Sequence, residues 1–367
     1  MLDLSALLTT LVERRGSDLH VKVNEPPTIR VDGTLYRLEG YPAMTGPEVK
    51  RLCYSVLNEE RIAEFEENLE LDLSHTIEGV GRYRVNIFQQ KSYVGGVFRH
   101  IPFEVPTIDS LGLPKVLEKI AMRPRGLVLV TGPTGSGKST TLAAMLNHMN
   151  HHRHAHVITI EDPLEFIHND MLCLINQREL GGDTHTFGDA LRHVMRQNPD
   201  IILVGEMRDL ETIQLAVTAA ETGHLVLATL HTTDAAQTID RVIDVFPPEQ
   251  QDQIRSQLAT TIEAIVCQTL LPRKSGTGRI AAFEIMIGTP AIKTIVREGK
   301  THQIPAIVQT GSEVGMIPLE QFLLSLLEQD LVTYEEALAR ANNPREFTEL
   351  CQRRLGIAPT SIGAGAE

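Results

Sequence analysis

Gly132, Pro133, Thr134, Gly135, Ser136, Gly137, Lys138, Ser139 and Thr140 follow one another in the pattern G-x-x-x-x-G-K-[ST]. Glycines at this spacing let consecutive backbone N–H groups curl round an anion. The lysine reaches β- and γ-phosphates, and the hydroxyl that follows it can ligate Mg²⁺. The chemistry is that of a nucleoside triphosphate, with ATP and Mg²⁺ as the expected ligands and residues 132–140 as the expected binding loop. The flanks suit the pattern: the apolar run 127–130 reads as a buried strand, and Leu142, Met145, Leu146 and Met149 recur as the inner stripe of a helix. Such a helix directs its positive N-terminal end at the anion.

Two groups of carboxylates come next. Ile201, Ile202, Leu203 and Val204 lead into Gly205 and Glu206, an apolar strand ending in an acid that can hold the hydration shell of Mg²⁺ or polarise water. Glu161, Asp162 and Glu165 follow a strand that ends at Ile160, so they emerge at the same edge of a parallel sheet, where nucleotides bind. One group is expected to manage the metal, with Ser139 and Glu206 as ligands, directly or through water. The other aligns or deprotonates the attacking water, with Glu165 as first candidate and Glu161 as second. Asp200 lies at the opposite end of its strand and reads as a solvated turn residue. His231 follows the strand 225–230 with Thr229, Thr232 and Thr233 placing hydroxyls around it. A histidine there is either a structural hydrogen-bond partner or a sensor of the γ-phosphate. His224, at the start of that strand, is expected to stay off the phosphates. His148, His151, His152, His154 and His156 lack the carboxylate or cysteine spacing of a metal site and read as a solvated helix end.

These groups need elements to position them. From residue 127 onward, short apolar runs at 127–130, 157–160, 201–204 and 225–230 alternate with helical stripes, one of which carries Leu191, Val194 and Met195; this is the pattern of a parallel sheet with crossover helices. Beyond Gly288 the chain reads as helical, and 359–367 is expected to be disordered. Before the sheet, Leu4, Leu7, Leu8, Leu11 and Val12 form a short amphipathic helix that Gly16 is expected to end. Asp32-Gly33 signals a hairpin. Tyr83, Val85 and Ile87 alternate with Arg82, Arg84 and Asn86, which places the arginines together on one strand face. By itself such a face reads as solvated. The first hundred residues thus form a small α+β domain, and Pro102, Pro106, Gly112 and Pro114 mark a linker.

The 367 residues allow two domains, and a formal charge of −13 speaks against a surface built to hold nucleic acid. Cys53, Cys173, Cys267 and Cys351 are too scattered for a zinc or redox motif and read as reduced thiols. No apolar stretch reaches the length of a membrane span, so a cytoplasmic location without direct membrane insertion is expected.

The stretches Thr-Ile-Glu-Asp-Pro-Leu-Glu-Phe at 159–166, Asp-Ile-Ile-Leu-Val-Gly-Glu-Met-Arg-Asp at 200–209, and Ala-Glu-Thr-Gly-His at 220–224 through His-Thr-Thr at 231–233 resemble the Asp box, Walker B and His box of the secretion ATPase superfamily. Within it the chain is similar to the pilus retraction ATPases: it shows neither the large extra N-terminal region nor the four-cysteine zinc site of the pilus-assembly ATPases. Ala-Ile-Lys-Thr-Ile-Val-Arg-Glu at 291–298 resembles their AIRNLIRE motif, departing from it at Lys293, Thr294, Ile295 and Val296.

The resemblance implies an α/β protein: a PAS-like N-terminal domain (1–100), a linker (101–115), a RecA-like P-loop NTPase core (116–287) and a helical C-terminal region (288–358). It further implies a homohexameric ring that hydrolyses ATP between subunits to retract type IV pili in twitching motility. The expected partners are an inner-membrane platform protein of the PilC kind, which would hold the ring at the inner face of the membrane, and an accessory retraction ATPase. Arg82, Arg84 and Arg99 match positions that approach the nucleotide. Pilus assembly, type II secretion and nucleic-acid translocation are the alternatives such a core leaves open.

Overall fold

The computed structural model describes residues 2–31, 33–101 and 105–356; Asp32, Pro102 and the tail 359–367 lie outside the described residues. Contacts divide the chain into two units, Met1–Val105 with Glu165–His168, and Pro106–Leu164 with Asn169–Glu367.

In the first unit Asp3 accepts a hydrogen bond from the Ala6 N–H and starts α1 (Leu4–Glu13), which buries Leu4, Leu7, Leu8 and Leu11. The helix does not end on Gly16 as its sequence suggests. Arg15 takes the left-handed conformation, φ +54°, while Gly16 is held by crowding: a Cβ there would lie 2.5 Å from Leu11 Cδ1. There follow β1 (Asp18–Val21), β2 (Thr28–Val31), β3 (Thr34–Arg37), α2 (Gly46–Tyr54), α3 (Glu59–Asn68), β4 (Glu70–Ile77), β5 (Gly81–Gln90) and β6 (Tyr93–Ile101). The strands make one antiparallel sheet in the order β3-β2-β1-β6-β5-β4. The alternation along β5 sends Tyr83, Val85 and Ile87 into the core. Tyr83 carries its hydroxyl in with it and donates to the Leu8 carbonyl at 3.2 Å, as a buried polar tip must.

The second unit comprises α4 (Val116–Ala121), β7 (Gly126–Thr131), α5 (Lys138–His152), β8 (Ala155–Glu161), β9 (Cys173–Glu179), α6 (Phe187–Val194), β10 (Ile201–Val204), α7 (Leu210–Glu221), β11 (Leu225–Leu230), α8 (Ala235–Asp244), α9 (Pro248–Thr261), β12 (Ile262–Pro272), β13 (Arg279–Ile287), α10 (Pro290–Glu298), α11 (Ile304–Thr310), α12 (Leu319–Glu328), α13 (Tyr334–Leu338) and α14 (Pro344–Leu355). Its sheet runs β13-β12-β7-β11-β10-β8-β9, all parallel except the β12–β13 pair. Leu127, Val128, Leu129 and Val130 of β7 are fully buried, as expected of a central strand covered on both faces. Three strands of this sheet escape the sequence reading. β9 is an edge strand that exposes Leu174 and turns polar from Asn176. β12 continues from α9 without a turn signal, and β13 is its antiparallel partner. The helices α12 and α14 close over Leu271 and Ala282 with Leu319, Leu323, Phe347 and Cys351. This is the α/β architecture with a helical C-terminal region.

Candidate active site

The loop 132–137 joins β7, an interior strand between β12 and β11, to α5. Gly132, Gly135 and Gly137 adopt φ of +142°, +78° and +89°. A side chain is excluded at Gly132, where a Cβ would fall 2.1 Å from the Gln268 carbonyl oxygen. Ser136 N–H donates to the Pro133 carbonyl at 3.1 Å, closing the turn. The Oγ of Ser136 is buried without a hydrogen-bond partner, and the first turn of α5 carries no acidic residue to cover its free N–H groups. A loop curled to present N–H groups, an unpaired buried hydroxyl and an uncapped helix start together fit the phosphates of a nucleotide.

Lys138 is buried and folds over this loop. Its Nζ donates to the carbonyls of Gly132 at 2.8 Å and Pro133 at 3.2 Å, and lies 3.5 Å from His231 Nδ1. Burial pulls its pKa below the usual lysine value, against the opposing pull of Glu206. His231 Nε2 in turn meets Glu206 Oε1 at 2.8 Å, and Arg208 Nε donates to the same oxygen at 2.7 Å. Burial pushes the Glu206 pKa up, but Arg208 and His231 outweigh it and hold the carboxyl below its usual range. A polar chain Lys138, His231, Glu206, Arg208 thus runs from the loop across the ends of β11 and β10. Ser139 is exposed at the start of α5.

Glu161, at the end of β8, accepts from Thr159 Oγ1 at 2.7 Å and Gln177 Nε2 at 3.4 Å. Its strand end is drawn to that of β10 because Gly205 N–H donates to the Ile160 carbonyl at 2.7 Å, an approach that glycine permits: a Cβ at 205 would lie 3.2 Å from both Ile160 O and Glu161 Cα. Glu165 is exposed and groups with the first unit. There Arg82 and Arg84 do share one face of β5, and Arg84 pairs in register with Arg99 of β6. Arg84 is exposed, whereas Arg99 Nε donates to Asp18 Oδ1 at 2.8 Å.

The hydroxyls expected around His231 are placed otherwise. Thr229 is buried and donates to the Gly205 carbonyl, tying β11 to the strand end that carries Glu206. Thr232 and Thr233 turn to Thr238 and Gln237 of α8. His224 Nδ1 meets the Ala219 carbonyl at 2.9 Å. Asp200, although exposed, pins β8 by accepting from the His156 N–H at 2.8 Å. In the histidine run, His151 and His152 meet carbonyls one turn back along α5, those of Asn147 and His148, through Nδ1. The sequence reading misses Arg208, which a carboxylate two residues earlier could have flagged, and Thr159 and Gln177, whose partnership with Glu161 depends on strand register. It also misses Gln268.

Comparison with known proteins follows the same lines. The family model for type II/IV secretion system proteins matches residues 108–307. The chain is 50% identical over 346 residues to the type IV pilus retraction ATPase PilT of Pseudomonas aeruginosa, covering 94% of this chain and 100% of that protein. It is 39% identical to the type IV pilus ATPase PilU of the same organism, covering 94% and 90%. Among solved structures, the crystal structure of the pilus retraction motor PilT with bound ADP superimposes with a TM-score of 0.89 at 42% identity, covering 94% of this chain and 99% of that one.

Proposed function

The chain belongs to the type II/IV secretion system protein family and is an ATP-hydrolysing enzyme with a nucleotide site, and from that premise we propose that it is the motor that powers retraction of type IV pili. The observation that carries the proposal is the Lys138–His231–Glu206–Arg208 chain at the mouth of the phosphate loop, in a protein alike over 94% of its length to a retraction ATPase.

In this reading residues 132–140 hold the phosphates through backbone N–H groups and Lys138. Ser139 and Glu206 would hold Mg²⁺, directly or through water. Such a site fits Mg²⁺, which takes a carboxylate and substrate phosphates and keeps its waters, and among the described residues no cluster of three histidine, cysteine or acidic side chains competes for a metal. Bound there, Mg²⁺ would offset the negative charge of the phosphates. Arg208 and His231 hold the Glu206 carboxyl below its usual range. His231, placed between Lys138 and Glu206, reports whether a γ-phosphate has drawn the lysine away. Glu165 is the carboxylate that aligns or deprotonates the attacking water. Glu161, already engaged by Thr159 and Gln177, steadies the β8 end. Arg82, Arg84 and Arg99 supply positive charge to the transition state in the assembled ring, a contribution of about 10³ to 10⁵ in rate where an arginine finger acts.

The motor is a homohexamer working on an inner-membrane platform protein, with an accessory retraction ATPase as a further partner. Attachment to the cytoplasmic face comes through that platform; among the described residues no helix is long and apolar enough to cross a membrane. Greater identity to PilT than to PilU favours the principal over the accessory role. Deleting the gene and imaging pili tests the direction of force. Excess surface pili without twitching is the expected outcome, and bald cells would assign the protein to assembly instead.

A further inference from the structure

Gln268 lies on β12, far from the loop in sequence and beside it in space. The register places Cys267 opposite Thr131, so Gln268 stands next to Gly132, where strand β7 becomes the phosphate loop. The residue is 5% exposed. The amide spans the loop. Nε2 donates to the Ser136 carbonyl at 2.7 Å, and Oε1 accepts from Thr141 Oγ1 at 2.6 Å, in the first turn of α5. The fit leaves no slack, since a Cβ at Gly137 would come within 2.8 Å of Gln268 Nε2 and one at Gly132 within 2.1 Å of Gln268 O.

These contacts decide where an N–H points. The Ser136 carbonyl and the Gly137 N–H belong to one planar trans peptide and face opposite ways. Holding the carbonyl on Gln268 turns the Gly137 N–H away from β12. We propose that Gln268 is a positioning residue of the nucleotide site, clamping the Ser136 carbonyl and the Thr141 hydroxyl so that the loop presents its N–H groups to phosphate before nucleotide arrives. The proposal rests on residues 132–140 being the nucleotide loop. The clamp needs a donor and an acceptor on one planar group, which glutamine supplies and neither a carboxylate nor an apolar side chain does.

The loop touches phosphates in ground state and transition state alike, so loss of the clamp should act mainly on binding. Labelled-ADP titration with Mg²⁺ and steady-state phosphate release are to be measured on the full chain for wild type, Gln268→Met, Gln268→Glu and Lys138→Ala. An unpaired buried carbonyl costs enough to predict that Gln268→Met raises the ADP Kd and the ATP KM together by about tenfold or more, with kcat within about threefold. Gln268→Glu should bind still more weakly at pH 8 and recover, relative to wild type at the same pH, as acidification protonates the introduced carboxyl and restores a donor to Ser136. A side chain that merely fills space gives no such recovery. Kd and KM within twofold of wild type in Gln268→Met, or no recovery in Gln268→Glu, would overturn the proposal. If the methionine variant does not fold, the Glu substitution, which keeps the shape, decides alone. Failure of the nucleotide-loop assignment itself would show separately, as Lys138→Ala hydrolysing ATP like wild type.

Discussion

Each unit of this protein holds a carboxylate gripped by arginine, and the two are built for opposite purposes. In the first unit Asp18 sits inside a sheet with Arg99 on one neighbouring strand and Arg30 on the other, both in register with it. Three strands would have to slip for that group to change partners. In the second unit Glu206 stands beyond the end of β10, and its partners Arg208 and His231 are themselves on connecting segments, with Arg208 largely exposed. Both carboxyls have lowered pKa values. Chemistry alone therefore does not separate a structural pair from a working one; the freedom of the partners to exchange it for a metal or a phosphate does.

The strongest test of that contrast is Lys138→Ala. The lysine contributes its Nζ to two loop carbonyls and approaches His231, and no large part of the apolar core depends on it. ATPase activity should fall by about 10²- to 10³-fold or more, as when a single transition-state donor is removed, while the melting temperature stays near wild type. Phosphate release at the wild-type rate would make the second region as structural as the first.

Next in size come the two acids. Glu206→Ala should lower kcat and weaken nucleotide binding in Mg²⁺, with the binding difference vanishing in EDTA. Glu165→Ala should bind ATP normally and lose about 10²- to 10⁴-fold in turnover, the usual share of general acid–base catalysis. Single-turnover cleavage alongside ATP titration separates the two. A Glu165 variant that cleaves normally beside an inert Glu161 variant would move the base to the acid that Thr159 and Gln177 hold.

What could be read from the sequence was what is local. The phosphate loop is legible because its shape demands glycine at positions 132, 135 and 137, within a few residues of the lysine they serve. The arginine face of β5 is legible because strand periodicity is two. Gln268 was not, since its partner Ser136 is 132 residues away and only the β7–β12 register brings them together. Thr232 and Thr233 were misread for a related reason: a hydroxyl after a strand can serve the site or the next helix, and α8 begins two residues after Thr233 and claims both. Strand β12 hid because α9 runs straight into it, leaving no punctuation to mark the change of period.

The smallest expected effect probes the first carboxylate. Burial raises the Asp18 pKa, but hydrogen bonds from Arg99 and Ser17 more than offset it, leaving the group below its ordinary value of 3.8. A carboxyl depressed in the folded state adds stability that is present above the unfolded pKa, near 3.8, and is lost as pH falls through the folded pKa. Asp18→Asn should therefore cost stability at pH 7 and show a shallower loss on acidification below about pH 4, where the wild type surrenders the same increment. Because Arg99 is largely exposed and Arg30 partly so, solvent screens the group, and it is worth only about 0.5–1 kcal/mol, a shift of a few °C in the unfolding of a unit this size. Thermal melts at pH 7 and pH 3 measure it, and ATPase assays on the same variant sharpen the comparison. If Asp18 only braces the sheet, the variant loses stability and keeps its kcat. A kcat changed severalfold with little change in melting would mean that Asp18 sets the availability of Arg99, and that the first unit's arginine pair is a working site after all.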